Sequence, residues 1–361
     1  MRVMQLTTDL AFGGAERVIL NLARGLRGKG AECALAGLFE GGGSPARTRL
    51  MLEEDGFEVY SAGIERKRMA WRLARLHRYV KGWKPDILHC HLFHGNAAGA
   101  LLRLAGLTCP QIWTHHTVER RPLPVRAAFR RLFSRLPECH VFVSDAVRRY
   151  HHAVAGTAPR EELVYNGIEL EPFFAVRPEP GPVFGAMGRL GPGKGFGLLV
   201  RAFARLCREN EEARLKIAGE GPERPALEGL ILREGVGERV ELVGFAEDVP
   251  GFLAGVNAFV HPSRGEGFGL TLLEAMAAGL PCIASRVDSL PEIGGDLVRW
   301  VRPGDVDGLY CAVREMVGAR YSAERIARQR AAVARFSCDA MTDRYLRLYT
   351  SLLAGFARGV R

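Results

Sequence analysis

Short apolar runs alternate with stretches of helical period along almost the whole chain. The first run, residues 2–8, is continuous enough to predict a buried strand. A turn at Gly13-Gly14 follows. Val18, Leu22 and Leu26 then share one face, which predicts a helix from about Ala15 to Leu26. Residues 33–39, 86–91, 111–116 and 140–144 predict further short strands, with helical patterns between most of them. Residues 167–182 carry four prolines and no helical period, and are read as a linker. A second alternating series then begins, with strands expected at 183–188, 213–219, 239–244, 258–262 and 281–285. Two helical segments, roughly 322–336 and 339–354, close the chain. Alternation of this kind implies parallel sheets covered by helices on both faces. The expected fold class is α/β: two Rossmann-like, doubly wound domains facing a central cleft, with ligands bound at the C-terminal ends of the strands.

Length agrees with two domains, because 361 residues exceed one ordinary core. The cysteines, from Cys33 to Cys338, stand singly with no C-x-x-C spacing. Scattered thiols fit a reducing compartment better than a disulfide framework. The N-terminus lacks the apolar core of a signal peptide, and no run nears the roughly 18 apolar residues needed to span a bilayer. A cytoplasmic location is therefore expected. The net charge of +10 asks for anionic partners without choosing among nucleotides, nucleic acid and lipid.

Three glycine-bearing turns carry candidate chemistry. Gly13 and Gly14 stand between a strand and a helix, where free N–H groups and close backbone approach suit an anion or acceptor; the alternative is a tight turn. In residues 187–196, Arg189 and Lys194 share one Gly-Pro-Gly loop. They can converge on a diphosphate, Arg as a planar fork and Lys as a point charge, or stand as solvated surface cations. The third turn is the most specific. Glu266 precedes Gly267, Phe268 and Gly269, a helix is expected from near Leu270, and Glu274 lies on its first turns. N–H groups at the Gly267–Thr271 helix start can hold phosphate oxygens. Glu274 can take two ribose hydroxyls and Glu266 can reach a sugar ring; otherwise Glu266 is a near-cap residue and Glu274 a solvated helix face.

These residues resemble a family. Glu266 and Glu274, with Gly-Phe-Gly between them and LLEAMAAGLP after, resemble the E-x7-E signature of retaining glycosyltransferases of family 4 (group 1), which have the GT-B fold. So do GGAER at 13–17, NGIE at 166–169, GRLGPGKG at 188–195, AGEGPE at 218–223, LVGF at 242–245 and HPS before Glu266. Pro192-Gly193 departs from the polar or acidic residue the family often carries before the lysine. The resemblance implies that residues 1–170 form an acceptor domain, joined by a helix at 339–361 that packs back on it, and that 181–338 form a donor domain. It implies that Arg189 and Lys194 neutralise the diphosphate of a nucleotide-sugar donor, helped by Gly14 and the backbone of Gly267, Phe268, Gly269, Leu270 and Thr271. Glu274 would bind ribose and Glu266 the transferred sugar. His116 resembles the active-site histidine, with His115 the weaker candidate. Sugar transfer would retain configuration by same-face attack and need no metal or other cofactor.

Asp305-Val-Asp307 looks like a metal-binding D-x-D but reads better as a helix cap. His89, His91 and His94 read better as strand-end histidines than as ligands. Two basic segments remain. Residues 66–84 carry eight Lys or Arg and no acid, with Met69, Leu73, Leu76, Val80 and Trp83 on one face. In 122–136, Val125, Ala128, Phe129, Leu132, Phe133 and Leu136 run beside Arg126, Arg130, Arg131 and Arg135. Either is a core helix with a solvated basic side, or together they meet an anionic membrane beneath a lipid-linked glycan acceptor. A Rossmann oxidoreductase would need the dinucleotide fingerprint, which is missing. A nucleic-acid-binding protein would spread basic and aromatic residues along a groove, whereas the charge here lies on two helices.

Overall fold

The computed structural model describes residues 1–10, 13–39, 51–64, 69–119, 123–178, 181–319 and 321–359. The chain divides into two compact units, one comprising Met1–Ile168 with Phe336–Arg361 and the other Glu169–Arg335.

Seven parallel strands form the sheet of the first unit: β1 (Arg2–Thr7), β2 (Glu32–Gly37), β3 (Glu58–Ser61), β4 (Ile87–His91), β5 (Gln111–His115), β6 (Cys139–Phe142) and β7 (Glu161–Leu163). Their order is β3-β2-β1-β4-β5-β6-β7. The central strands β1, β4, β5 and β6 are buried almost end to end, as continuous apolar runs require when helices cover both faces. Helix α1 (Gly14–Gly28) buries Val18, Ile19, Leu22 and Leu26, the face its period marks out. Helices α2 (Met69–Trp83), α3 (Leu92–Leu104), α4 (Pro124–Phe133) and α5 (Asp145–Ala155) complete the described layers between strands.

The stretch at 167–182 is not one linker. It is divided between the units at Ile168, and it contains a helical turn, α6 (Glu171–Phe174), that four residues are too few to announce by period. The second unit has six parallel strands: β8 (Val183–Met187), β9 (Arg214–Ala218), β10 (Val240–Gly244), β11 (Ala258–His261), β12 (Cys282–Ser285) and β13 (Arg299–Val301), in the order β10-β9-β8-β11-β12-β13. Phe184, Leu199, Phe203, Leu215, Ile217 and Val260 fill its core. Helices α7 (Phe196–Leu206), α8 (Arg224–Glu234), α9 (Val249–Ala254), α10 (Leu270–Ala277), α11 (Leu290–Gly294), α12 (Val306–Met316) and α13 (Ala323–Val333) surround it.

The last helix, α14 (Cys338–Gly359), belongs to the first unit. Ile168 bridges Ser337. Tyr345, Leu348, Tyr349 and Leu352 are all buried. Side chains of this size contribute about 1.5–3 kcal/mol each when removed from water. The Tyr349 hydroxyl bonds His89 Nδ1 at 2.7 Å, and the Tyr345 hydroxyl lies 3.3 Å from Thr114 Oγ1. Among the described residues no helix is long and apolar enough to cross a membrane.

Candidate functional site

In the second unit the winding of the sheet reverses between β8 and β11, and chains leaving those strands part to leave a crevice at their C-terminal ends. Both glycine-rich turns of that half begin there. Gly195, in left-handed conformation (φ +77°), has no room for a side chain: a Cβ would stand 2.1 Å from the Pro262 carbonyl oxygen. The Arg264 N–H donates to Gly193 O at 2.7 Å. The loop carrying Arg189 and Lys194 is thus closed onto the loop carrying Glu266.

Lys194 Nζ meets Glu266 Oε1 at 2.5 Å. The same oxygen accepts from Ser263 Oγ at 2.8 Å and lies 3.0 Å from His261 Nε2. Thr271 Oγ1 bonds the other ring nitrogen of His261 at 3.1 Å, so the Thr271 hydroxyl is engaged and its backbone is what remains for an anion. The Glu266 N–H donates to Asp288 Oδ2 at 2.8 Å, and Ser289 Oγ donates to the Phe268 and Glu266 carbonyls. Burial alone would raise the Glu266 pKa. The His261 hydrogen bond and the Lys194 charge outweigh it and hold the carboxyl below the ordinary range. Glu266 is therefore a fixed anion and not a loosely placed near-cap residue. His261, Ser263, Asp288 and Ser289 supply that geometry, and sequence reasoning gave none of them a role.

Helix α10 starts at Leu270, with Gly269 as its left-handed N-cap (φ +106°), where a Cβ would strike the Leu290 side chain. The first turn of a helix leaves its N–H groups without intrahelical partners. Phe268 is buried. Glu274 is wholly buried, which overturns its reading as a solvated helix face. Arg189 is exposed and makes no ion pair among the described residues.

In the first unit the winding reverses between β1 and β4. Gly13 and Gly14 open α1 after β1. Glu16 lies on the first turn of that helix, and burial pushes its pKa up to about 7, with the Asp9 charge adding to the rise and its own backbone N–H opposing it. His116 follows β5. Its Nε2 lies 3.0 Å from His91 Nδ1, and His91 Nε2 lies 2.7 Å from Gln5 Oε1. Burial lowers the His116 pKa to about 4, so the ring is neutral near pH 7. Among the described residues its Nδ1 has no hydrogen-bond partner.

The Asp305 side chain caps α12 by accepting from the Gly308 N–H at 2.8 Å, and Asp307 pairs with Arg205. The His89 and His91 rings lie 3.9 Å apart, tilted by 37°, inside a buried hydrogen-bond network. Among the described residues the nitrogen atoms that converge are those of His115, His140 and His151.

The basic segments are less free than their composition suggests. Arg66 lies outside the described residues. In α2, Leu76, Val80 and Trp83 are buried, while Met69 and Trp71 are exposed, with Arg72 and Arg75 over the Trp71 ring. In α4, Arg126 and Arg130 both pair with Glu119, Arg130 is buried, and Arg131 donates to the Val154 carbonyl. Phe129 and Phe133 pack on the core, whereas Leu123, Val125 and Leu132 are exposed.

Two doubly wound parallel units, with a cation–glutamate pair at the reversal point of the second, have the architecture of the GT-B fold. The family described as Glycosyl transferases group 1 matches residues 181–318, and Glycosyltransferase Family 4 matches residues 12–172. The chain belongs to the group 1, family 4 glycosyltransferases. Glycogen synthase of Mycobacterium tuberculosis is 28% identical over 94% of this chain and 91% of that protein. A lipopolysaccharide core biosynthesis glycosyltransferase, LpsE of Rhizobium meliloti, is 34% identical over 48% of this chain and 51% of its own length. The crystal structure of Anabaena Alr3699/HepE in complex with UDP superposes with a TM-score of 0.83 at 19% identity, covering 97% of this chain and all of that one.

Proposed function

We propose that the protein moves a sugar from a nucleotide-sugar donor, a UDP-sugar or GDP-mannose, to a glycan or lipid-linked glycan acceptor in cell-envelope polysaccharide or lipopolysaccharide assembly. The transfer retains anomeric configuration and needs no metal. The observation that carries this reading is the Lys194–Glu266 pair at the reversal point of the second sheet. Among the described residues, the hydrogen-bond partners of the Glu266 carboxylate, Lys194, His261 and Ser263, all lie on Oε1. That leaves Oε2 for hydroxyls of the transferred sugar.

In the reaction the bond from the anomeric carbon to the diphosphate oxygen breaks, and the electron pair leaves with the diphosphate. Arg189, Lys194 and the N–H groups from Gly267 to Thr271 stabilise that growing charge where it forms, with Gly14 assisting from its own helix start. The acceptor hydroxyl attacks from the same face and its proton passes to the departing diphosphate, so Glu266 need not act as a nucleophile. Glu274 takes the ribose, and His116 offers Nδ1 as a hydrogen-bonding atom to the sugar. The UDP bound by Alr3699/HepE and the lipopolysaccharide core biosynthesis named for LpsE favour this substrate class.

We place the enzyme at the inner face of the cytoplasmic membrane. Met69 and Trp71 beside Arg72 and Arg75, with Leu123, Val125 and Leu132, suit an anionic interface. The test is a screen of sugar nucleotides for slow hydrolysis and for transfer to lipid-linked glycans. Nuclear magnetic resonance then reads the new linkage. A retained anomeric configuration supports the proposal, and an inverted product refutes it.

A further inference from the structure

We propose that His115, His140 and His151 form a binding site for a divalent transition-metal ion of the zinc class, inside the first unit and independent of the donor reading. His115 ends β5, His140 stands on the neighbouring strand β6, and His151 lies on α5, which covers them. One nitrogen from each lies within 4.8 Å of the others. Three separate elements therefore aim imidazoles at a common point.

The orientation of two rings argues for a ligand. His140 Nε2 lies 2.9 Å from the Ser134 carbonyl, which can only accept, so Nε2 carries the proton and Nδ1 turns a lone pair inward. Metal-bound histidines are commonly fixed by such a bond from the far nitrogen. His151 is 2% exposed, and neither of its nitrogens has a hydrogen-bond partner among the described residues. Burying an imidazole with both nitrogens idle is unfavourable, and a metal bond would engage one of them. Burial also holds all three rings neutral, as metal ligands must be.

The donor set selects the ion. Imidazole nitrogens without carboxylates suit zinc and its neighbours and not magnesium or calcium. Arg130 is the nearby cation, and Glu119 pairs with it at 2.7 Å. At present His115 Nε2 donates to His140 Nδ1 at 2.9 Å. Binding moves the His115 proton from Nε2 to Nδ1, so none is released. Zinc nitrogens about 2.0 Å from the metal stand about 3.4 Å apart, which side-chain rotations of about an ångström would reach. Phe93, Asn96, Trp113, Phe129 and Arg130 line a cavity with all three histidines, and His115 and His151 also line a second cavity with His116, Thr117 and Tyr150, where a fourth ligand could stand.

The test uses tag-free, chelator-stripped full-length protein titrated with zinc chloride by calorimetry. One zinc per chain and a raised melting temperature are expected. His140→Gln and His151→Gln should each weaken zinc binding at least tenfold and abolish the zinc-induced rise in melting temperature. Absence of stoichiometric binding, or undiminished binding in both variants, would overturn the proposal. Zinc-edge X-ray absorption on wild-type protein needs no variant. A shell with three imidazoles supports the site, and one dominated by sulfur or by oxygen overturns it.

Discussion

Replacing Lys194 by Met should reveal a structural and a catalytic effect at once. Breaking a fully buried ion pair by removing one partner costs about 3–5 kcal/mol. Here the Lys194 side chain is 32% exposed, and Glu266 keeps His261 and Ser263. The structural loss is therefore discounted to about 1–2 kcal/mol, a fall of roughly 2–8 °C in the melting temperature of a unit this size. Glu266 has a depressed pKa, so its contribution is present above the ordinary carboxylate range and is lost as pH falls through the folded value. Without Lys194 that folded value rises, and the acid limb of the stability curve moves to higher pH. The catalytic loss is larger, about 2–4 kcal/mol of transition-state stabilisation, or roughly a 30- to 1,000-fold drop in kcat/KM. Urea unfolding from pH 3 to 8, with a double-mutant cycle through Glu266→Gln, separates the effects. Near-normal turnover in Lys194→Met, or losses that add within about 0.5 kcal/mol, would refute this reasoning.

Other perturbations follow from the same geometry. Glu16 has a raised pKa, so its folded form holds a proton that the unfolded chain has already released. Stability should fall by about 3 kcal/mol as pH rises from about 4.5 to about 7. Glu16→Gln should flatten that slope in chemical unfolding, and an unchanged slope would reject the assignment. Liposome flotation should show binding to anionic vesicles that weakens with salt, since the Debye length is about 8 Å at physiological ionic strength. Trp71→Ser combined with Arg72→Glu and Arg75→Glu should release the protein, and binding indifferent to these changes would mean that α2 is merely solvated.

What the sequence made legible was governed by burial. Strands β1, β4, β5, β8 and β11 run through the middle of their sheets, so their continuous apolar runs stand out. The short outer strands Glu58–Ser61, Glu161–Leu163 and Arg299–Val301 are partly exposed and polar, and escaped notice. Glu266 and Glu274 were found because their signature is local. The partners of Glu266 were only half visible: His261 and Ser263 are close in sequence, but Lys194 is 72 residues away and its approach depends on Gly195. The pairing of Arg126 and Arg130 in α4 was hidden in the helix itself, because their partner Glu119 lies outside it. Nor could spacing find His115, His140 and His151, which the neighbouring strands and their helix bring together.

The central claim is that the second unit binds a nucleoside diphosphate between Arg189, Lys194, the start of α10 and Glu274. Calorimetric titration of UDP and of GDP into wild-type protein and into Glu274→Gln and Arg189→Ala tests it most directly. The account predicts one site per chain in the wild type for at least one of the two nucleotides, weakened at least tenfold in each variant while the fold is unchanged by circular dichroism. Wild-type protein that binds neither nucleotide, or variants that bind as tightly as wild type, would contradict it.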